Sequence, residues 1–367
     1  MKQPPVKLAL HYEMETDPRT YTEFDIFHNV LDQIVQAEKS GYWGAFSVEH
    51  HFNPGYSHIP APEMLLAAAS QRTSRIRLGT AVRLLPLNDP IHTAETFATL
   101  DILSKGRLEF GVGRGVSEVE FEIFKQPSPY GETANANKEL FWEYCDLIKK
   151  CWTEDKVTFH GKHYQVTSPV TIVPKPVQKP TPRIWASTTS RSSQEQNLGR
   201  GMHMLTGTIL GGFETLADDT AAAREVWARH GHDRREALEV GCMIPMYCAK
   251  TRQEAIEIAR PHHGYYIEQL CRFFTPRDPE ERRKRMAAMP PGYKPYWEQP
   301  PSWDQAFNNH MIICGAPDDC VRQIKDLEGA GITLVLALTQ IGGMAHQRVM
   351  ESIKLAGKEV IPHLAKG

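Results

Sequence analysis

The sequence predicts an α/β fold, a closed (β/α)8 barrel of the TIM type with insertions, built as one domain over residues 1–367. Short apolar runs alternate with longer segments of helical period along nearly the whole chain. Eight of the apolar runs have the length of strands, and mostly short loops join them to the helices. Eight parallel strands with helical crossovers suffice to close a barrel, although the periodicity alone also permits a doubly wound open sheet.

The strands and helices follow one another in a regular order. Gly41 stops the first helix, and Pro62 and Pro90 stand where the next two helices begin. The predicted strands are Val6–Leu10, Trp43–Val48, Ile76–Val82, Arg107–Val112, Arg183–Ala186, His203–Thr206, Val240–Ala249 and Thr333–Leu338. The predicted helices are Phe24–Lys39, Glu63–Arg72, Pro90–Leu103, Asn135–Cys151, Ser192–Gly199, Glu214–His230, Asp318–Leu327 and Ala345–His363.

An insertion at residues 152–182 interrupts this order. It holds two short runs, Val157–Phe159 and His163–Val166, on either side of Gly161. These runs predict a small hairpin outside the main sheet, followed by the proline-rich connector Pro169–Pro182.

A second irregular segment covers residues 273–309. It contains the charged run Glu280–Arg285 and then the stretch PPGYKPYWEQPPSW. An exposed helix followed by a surface loop would explain this composition. We expect instead a mobile lid over the barrel mouth, because long irregular segments in compact domains often cover active sites.

Composition restricts the class of function. With 42 basic and 44 acidic residues, a net charge of −2 and no block of like charge, we expect neither nucleic acid nor a membrane as a partner. The N-terminal segment lacks the apolar core of a signal peptide, and no stretch has the length of a transmembrane helix. The seven cysteines are widely spaced without a C-x-x-C motif, which favours packed, reduced thiols in a cytoplasmic enzyme.

The second strand is followed by Glu49, His50, His51 and Phe52. In a parallel barrel the active site lies at the carboxyl ends of the strands, so these histidines could supply a base and its orienting partner. Alternatively they are loop histidines bonded to the backbone. We expect no metal, because a metal site would need a third ligand and the chain has no H-E-x-x-H motif.

The fourth strand runs into a glycine-rich turn that contains Gly111, Gly113, Arg114 and Gly115. Glycines let the backbone approach an anion closely, and arginine offers a fork of donors that suits phosphate. Val116 stands where a Rossmann fingerprint would need glycine, so the motif does not support dinucleotide binding. A tight turn explains the glycines equally well.

Hydroxyl side chains from Ser187 to Ser193, among them Thr188 and Ser192, follow the fifth strand and open a helix. They could form a second phosphate site, although an ordinary helix N-cap has the same composition. Two candidate anion sites after neighbouring strands suggest one phosphorylated ligand. Trp185, just before these hydroxyls, belongs either to an apolar substrate pocket or to the core.

Taken together, these segments resemble the bacterial luciferase-like flavin monooxygenases. The closest stretch, Arg75 to Gly115, contains the family's Leu-Gly-Thr strand, a Leu-Pro-x-x-x-Pro turn, an Ala-Glu helix and Leu-Asp-x-Leu-Ser-x-Gly-Arg. The E-H-H-F of Glu49–Phe52 also matches the family pattern. Near the C-terminus, Cys314–Pro317 resembles the Gly-Thr-Pro element, and Gly342 and Gly343 resemble the closing loop.

The resemblance implies an enzyme that uses reduced FMN and O2, through a C4a-peroxyflavin, to oxygenate a small organic substrate. It implies that Arg114 and the hydroxyls of Thr188–Ser192 hold the phosphate beside Gly113 and Gly115. Ala81 and Val82 would form the family's cis peptide beneath the flavin ring. His50 would be the catalytic acid or base, with Glu49 and His51 as its neighbours.

The resemblance further implies a homodimer, formed on the side of the small, apolar second helix, and a separate NAD(P)H:flavin reductase as the source of FMNH2. Light emission is not expected, because Gly113 stands where luciferase α-chains carry a reactive cysteine. Deazaflavin (F420)-dependent reductases and dehydrogenases share the barrel but usually have a small residue at the position of Arg114. A non-catalytic flavin-binding partner subunit is a third possibility, which the presence of His50 disfavours.

Overall fold

The computed structural model of the chain describes residues 5–15, 21–188, 190–208, 213, 215–276, 278–287, 298 and 300–364. In chain order its strands are β1 (Lys7–Tyr12), β2 (Gly44–Ser47), β3 (Arg77–Thr80), β4 (Arg83–Leu84), β5 (Leu108–Gly113), β6 (Val157–His160), β7 (Gln165–Val170), β8 (Arg183–Ser187), β9 (His203–Gly207), β10 (Val240–Cys248), β11 (Ile313–Gly315) and β12 (Leu334–Leu338).

Eight of these strands close a parallel barrel, in the order β1-β2-β3-β5-β8-β9-β10-β12 with β12 pairing back to β1. They are the eight predicted strands, so the prediction of a closed barrel is confirmed and the open sheet is excluded. The short strands β4 and β11 extend the sheet beside β5 and β10. The predicted hairpin is also confirmed, because β6 and β7 pair antiparallel in a sheet of their own.

The helices are α1 (Glu23–Lys39), α2 (Pro62–Arg72), α3 (Pro90–Leu103), α4 (Glu118–Phe124), α5 (Ala134–Thr153), α6 (Arg191–Gly199), α7 (Leu216–Arg229), α8 (Arg252–Phe274), α9 (Pro279–Ala287), α10 (Trp303–Asn308), α11 (Pro317–Gly329), α12 (His346–Glu359) and α13 (Ile361–Leu364). All eight predicted helices are present. The last predicted helix is divided at Val360 into α12 and α13.

The 23-residue helix α8 is absent from the prediction. Pro261 lies inside it, and a proline is normally read as the end of a helix. The helix forms nevertheless because Thr251 caps its first turn and one face is buried. At the C-terminal end of this face, Phe273 reaches the mouth of the barrel.

The predicted lid is described only at its two ends. Phe273 and Phe274 close the end of α8, and α10 returns to pack Trp303 edge-on against His263 of α8. Residues 277, 288–297 and 299, which include most of the proline- and aromatic-rich stretch, lie outside the described residues. A mobile lid therefore stays a prediction.

Apolar side chains fill one part of the barrel interior. Phe46, Leu205 and Leu336 pack there around Trp185, whose indole nitrogen donates to Glu109 at 2.7 Å. Trp185 is fully buried. Trp185 belongs to the core and lines neither of the two cavities described below, which favours the second of its two interpretations.

The seven cysteines are all buried and form no disulfide, in agreement with the expectation of packed thiols. Within the described ranges, no helix is both long and apolar enough to cross a membrane.

Candidate active site

A cavity of about 540 Å³ opens where the barrel strands end, on the side of their carboxyl termini. The residues that the sequence placed in the site meet here although they follow four different strands. Those that line the cavity are Glu49, His50, Ala81, Val82, Gly113, Arg114, Gly115 and Ser192. A smaller lobe of about 200 Å³ shares Ala81, Val82, Ser187 and Met243 with it.

The peptide bond between Ala81 and Val82 is cis, at the position that the resemblance implied. The segment is held on one side by the backbone of the second strand and the loop after it. Ala81 donates its N–H to Ser47 at 2.9 Å, and the Val82 carbonyl accepts from Glu49 at 3.2 Å. These contacts hold the peptide in the wall that the cavity and its smaller lobe share.

The glycines of β5 are required by the close approach of this segment. A Cβ on Gly111 would lie 1.9 Å from the carbonyl oxygen of Thr80, and a Cβ on Gly113 would lie 2.3 Å from Cγ2 of Val82. Both distances are far below van der Waals contact. Gly111 and Gly113 therefore serve close packing within the strand, and the tight-turn explanation applies only to Gly115, whose φ is +84°.

Replacing Gly113 by alanine should displace Val82 and destabilise the fold. Overpacking of this kind costs about 1–3 kcal/mol, which denaturant unfolding would detect as a lower midpoint. Gly264→Ala is the matched control, because it adds the same methyl group to an exposed helical site with no neighbour within 4 Å. An unchanged midpoint for Gly113→Ala would show that Val82 moves aside without cost.

His50 is held in one orientation by a buried carboxylate. Its Nδ1 lies 3.2 Å from Oε1 of Glu120, and its ring lies edge-on to Phe273 with centroids 4.7 Å apart. A carboxylate only accepts hydrogen bonds, so Nδ1 carries the proton and Nε2 is left as the basic nitrogen. Glu120 also accepts the backbone N–H of His51 at 2.8 Å, which fixes the loop.

Glu49 is bonded through both carboxylate oxygens. It accepts from the Leu84 N–H at 2.7 Å and from Asn88 at 2.9 Å, and Arg83 lies 3.3 Å away. His51 Nε2 lies 3.1 Å from the same carboxylate. The two adjacent histidines therefore differ in placement. His50 lines the cavity, whereas His51 does not line it and contacts the Glu49 carboxylate.

One end of the cavity is rich in hydrogen-bond donors. Arg114 from the end of β5, Lys138 from α5, and Ser190, Ser192 and Ser193 at the start of α6 converge there. The Lys138 ammonium lies 3.4 Å from the Ser192 hydroxyl, and Ser190 caps the helix. Burial lowers the pKa of Arg114, but a guanidinium stays protonated in proteins. None of the described carboxylates pairs with Arg114 or Lys138, so this end suits an anion.

Thr188 fits the predicted phosphate role less well. It is fully buried and donates its hydroxyl to the Ala186 carbonyl at 2.9 Å. It lines the smaller lobe and not the main cavity. Lys138, Ser190 and Ser193 take its place at the donor-rich end.

Two acidic residues of the site were missing from the prediction, Glu13 and Glu120. Glu120 lies on α4, a helix that the weak periodicity after Gly115 did not reveal. Glu13 lies three residues after the first predicted strand and directly after the observed β1, so its position near a strand end was the available signal. Within the part of the chain that the structure describes, no three histidine, cysteine or acidic side chains gather as a metal-ligand set.

The barrel, the cis peptide and the cavity agree with what comparison with known proteins shows. The chain belongs to the luciferase-like monooxygenase family, whose sequence profile matches residues 9–334. It is 27% identical over 344 residues to the uncharacterized protein y4vJ of Sinorhizobium fredii, covering 93% of this chain and 92% of that protein.

Relatives with named activities fall into two cofactor groups. The FMNH(2)-dependent dimethylsulfone monooxygenase of Pseudomonas putida is 26% identical over 93% of this chain and 88% of its own. An F420-dependent glucose-6-phosphate dehydrogenase of Intrasporangium calvum is 34% identical, over only 41% of this chain and 45% of its own. Among solved structures, the monooxygenase RslO1 of Streptomyces bottropensis superposes with a TM-score of 0.83 at 22% identity, over 98% of this chain and 99% of that one.

Proposed function

We propose that the protein is an FMN-dependent monooxygenase that oxygenates a small organic substrate with reduced flavin and O2. One observation carries the proposal: a single cavity has a cationic, hydroxyl-rich end at Arg114 and a fixed histidine, His50, in its wall, with the Ala81–Val82 peptide also in that wall. This arrangement suits a ligand that is a phosphate ester at one end and a flat ring at the other.

The cavity fits FMN in size and in chemistry. Its volume of about 540 Å³ lies within the range of cofactor pockets. Arg114, Lys138 and the serines of α6 would hold the phosphate, and the ring would lie against the wall that contains the Ala81–Val82 peptide. Reduced flavin bound there would supply the electrons and activate O2.

The residues of the chain contribute acid–base chemistry and exclusion of water. With Nδ1 bonded to Glu120, His50 offers Nε2 to a proton of the ligand. Val48, Tyr56, Phe273 and Phe274 line the cavity with apolar surface, which restricts access of water to the reacting atoms.

The choice between FMN and F420 rests on Arg114. A phosphate monoester such as FMN ends in a dianion, and a forked guanidinium without a carboxylate partner is well suited to it. The FMNH(2)-dependent relative matches nearly the whole chain, whereas the F420-dependent relative matches less than half. Both observations favour FMN, with F420 chemistry as the second candidate.

We further propose that the protein acts as a homodimer and receives FMNH2 from a separate flavin reductase. The helix α2 presents Met64 with 70% of its surface exposed, and Phe24 at the start of α1 is 71% exposed. Large apolar side chains left in water at this side of the barrel support a contact between two copies.

Stopped-flow absorbance would test the function. The protein is mixed with reduced FMN and oxygenated buffer, without substrate. We expect a long-lived absorbance band that belongs to neither reduced nor oxidised FMN. Direct conversion to oxidised FMN at the rate seen in protein-free buffer would contradict the proposal and favour F420 chemistry or a non-catalytic role.

A further inference from the structure

Three buried ionisable residues lie at the carboxyl end of strand β1. His11 belongs to the strand, and Glu13 and Glu15 follow it in the sequence HYEME. Each is at most 1% exposed. Of the three, Glu13 lines the main cavity, on the same wall as His50.

The two oxygens of Glu13 differ in their contacts. Oε1 accepts a hydrogen bond from the Tyr56 hydroxyl at 2.7 Å. Oε2 is buried and makes no well-formed hydrogen bond to the described residues, although the Tyr266 hydroxyl is near enough to lower the pKa of Glu13. Glu49, the other carboxylate in this wall, has both oxygens bonded to protein donors. Glu13 therefore keeps one oxygen available for a ligand, and Glu49 does not.

The surroundings of Glu13 place its titration near neutral pH. Burial is the largest effect and raises the pKa of Glu13 to about 7, against smaller lowering effects of the Tyr56 and Tyr266 hydroxyls and of His50. Glu15, the next carboxyl along the chain, has its own pKa raised well above the usual value by burial.

The remaining ionisable group of the three, His11, cannot balance the charge of Glu13. Burial lowers the pKa of His11 to about 3, so the ring is neutral at physiological pH. With its pKa near 7, Glu13 can act as an acid or as a carboxylate within the range in which an enzyme works, and none of the described lysine or arginine side chains forms an ion pair with it.

We propose that Glu13 is a second acid–base residue of this cavity, which exchanges a proton with the bound ligand through Oε2 while His50 acts through Nε2. In the acid form, Oε2 gives its proton to a basic atom of the ligand and the carboxylate remains. In the carboxylate form, Oε2 takes a proton from the ligand. The Tyr56 hydrogen bond occupies Oε1 and so selects the oxygen that reacts.

The proposal is tested first on the protein without flavin, by infrared difference spectroscopy across pH. The carbonyl band of a buried carboxylic acid should disappear with a midpoint near pH 7. Glu13→Gln, which keeps the size of the side chain, should abolish this band, and Glu122→Gln at an exposed position should leave it. Tyr56→Phe should move the midpoint upward, because the hydroxyl stabilises the carboxylate.

Buried Glu15 also has a raised pKa and contributes a carbonyl band in both proteins, so the readout is the component of the band that changes near pH 7. If that component survives in Glu13→Gln, or if the midpoint lies near the ordinary value of 4.5, the proposal is overturned. Once flavin is loaded and a substrate is found, the pH profile of turnover adds a second test. Glu13→Gln should remove one limb of the profile, and a profile of unchanged shape would overturn a role in proton exchange. Because the spectroscopic test needs neither flavin nor substrate, it can fail or succeed independently of the proposed monooxygenase activity.

Discussion

Replacing His50 by alanine is expected to abolish turnover while flavin stays bound. His50 lies in the cavity wall. The hydrogen bond from its Nδ1 to Glu120 leaves Nε2 as the basic nitrogen. A positioned acid or base contributes about 10²- to 10⁴-fold to rate, so a loss of this size is expected in kcat. Flavin affinity should change little, because the donors that we propose for the phosphate are other residues of the cavity, Arg114, Lys138 and the serines of α6.

The measurement pairs flavin titration with turnover on the same preparation. His51→Ala is an informative comparison, because it removes the adjacent ring, which faces Glu49 and not the cavity. Glu120→Gln should cause a smaller loss than His50→Ala, since the ring remains but its tautomer is less well fixed. Unchanged turnover in His50→Ala would refute its assignment as the acid–base residue.

Replacing Arg114 by alanine should weaken FMN far more than riboflavin. The two ligands share the flavin ring and differ by the phosphate, which we place at the donor-rich end of the cavity. A hydrogen bond to a charged group contributes about 1.5–3 kcal/mol, so the dissociation constant of FMN should rise roughly 10- to 100-fold. The dissociation constant of riboflavin should stay near its original value.

Arg191→Ala is the matched control for this experiment. Arg191 lies on the same helix start as the cavity serines, but it pairs with Asp219 at 3.3 Å and does not line the cavity. Its removal should leave the binding of both ligands nearly unchanged. If Arg114→Ala weakened FMN and riboflavin equally, the guanidinium would contact the ring or support the wall instead of the phosphate.

The sequence by itself determined the barrel and the parts of the site that follow directly on its strands. Eight apolar runs of strand length, separated by helices, can form only a few parallel sheets. The carboxyl ends of parallel strands lie on the same side of such a sheet. His50, Arg114 and the Ala81–Val82 peptide stand within three residues of strand ends, so local pattern was enough to bring them together. Family resemblance then indicated the bond that the structure shows as cis.

Only the tertiary structure decided what the helices bring to the cavity and which side chains face it. Lys138 and Glu120 lie on α5 and α4, and helix periodicity does not show which strand end a helical residue approaches. The sequence also did not show that Trp185 belongs to the core or that the Thr188 side chain does not face the main cavity. Glu13 is the intermediate case: it follows directly on β1, so its position in the chain puts it at the barrel mouth, but burial in the folded protein is what raises its pKa to about 7. The burial of Glu13, and the contacts of Lys138 and Glu120, depend on residues that are far apart in the chain.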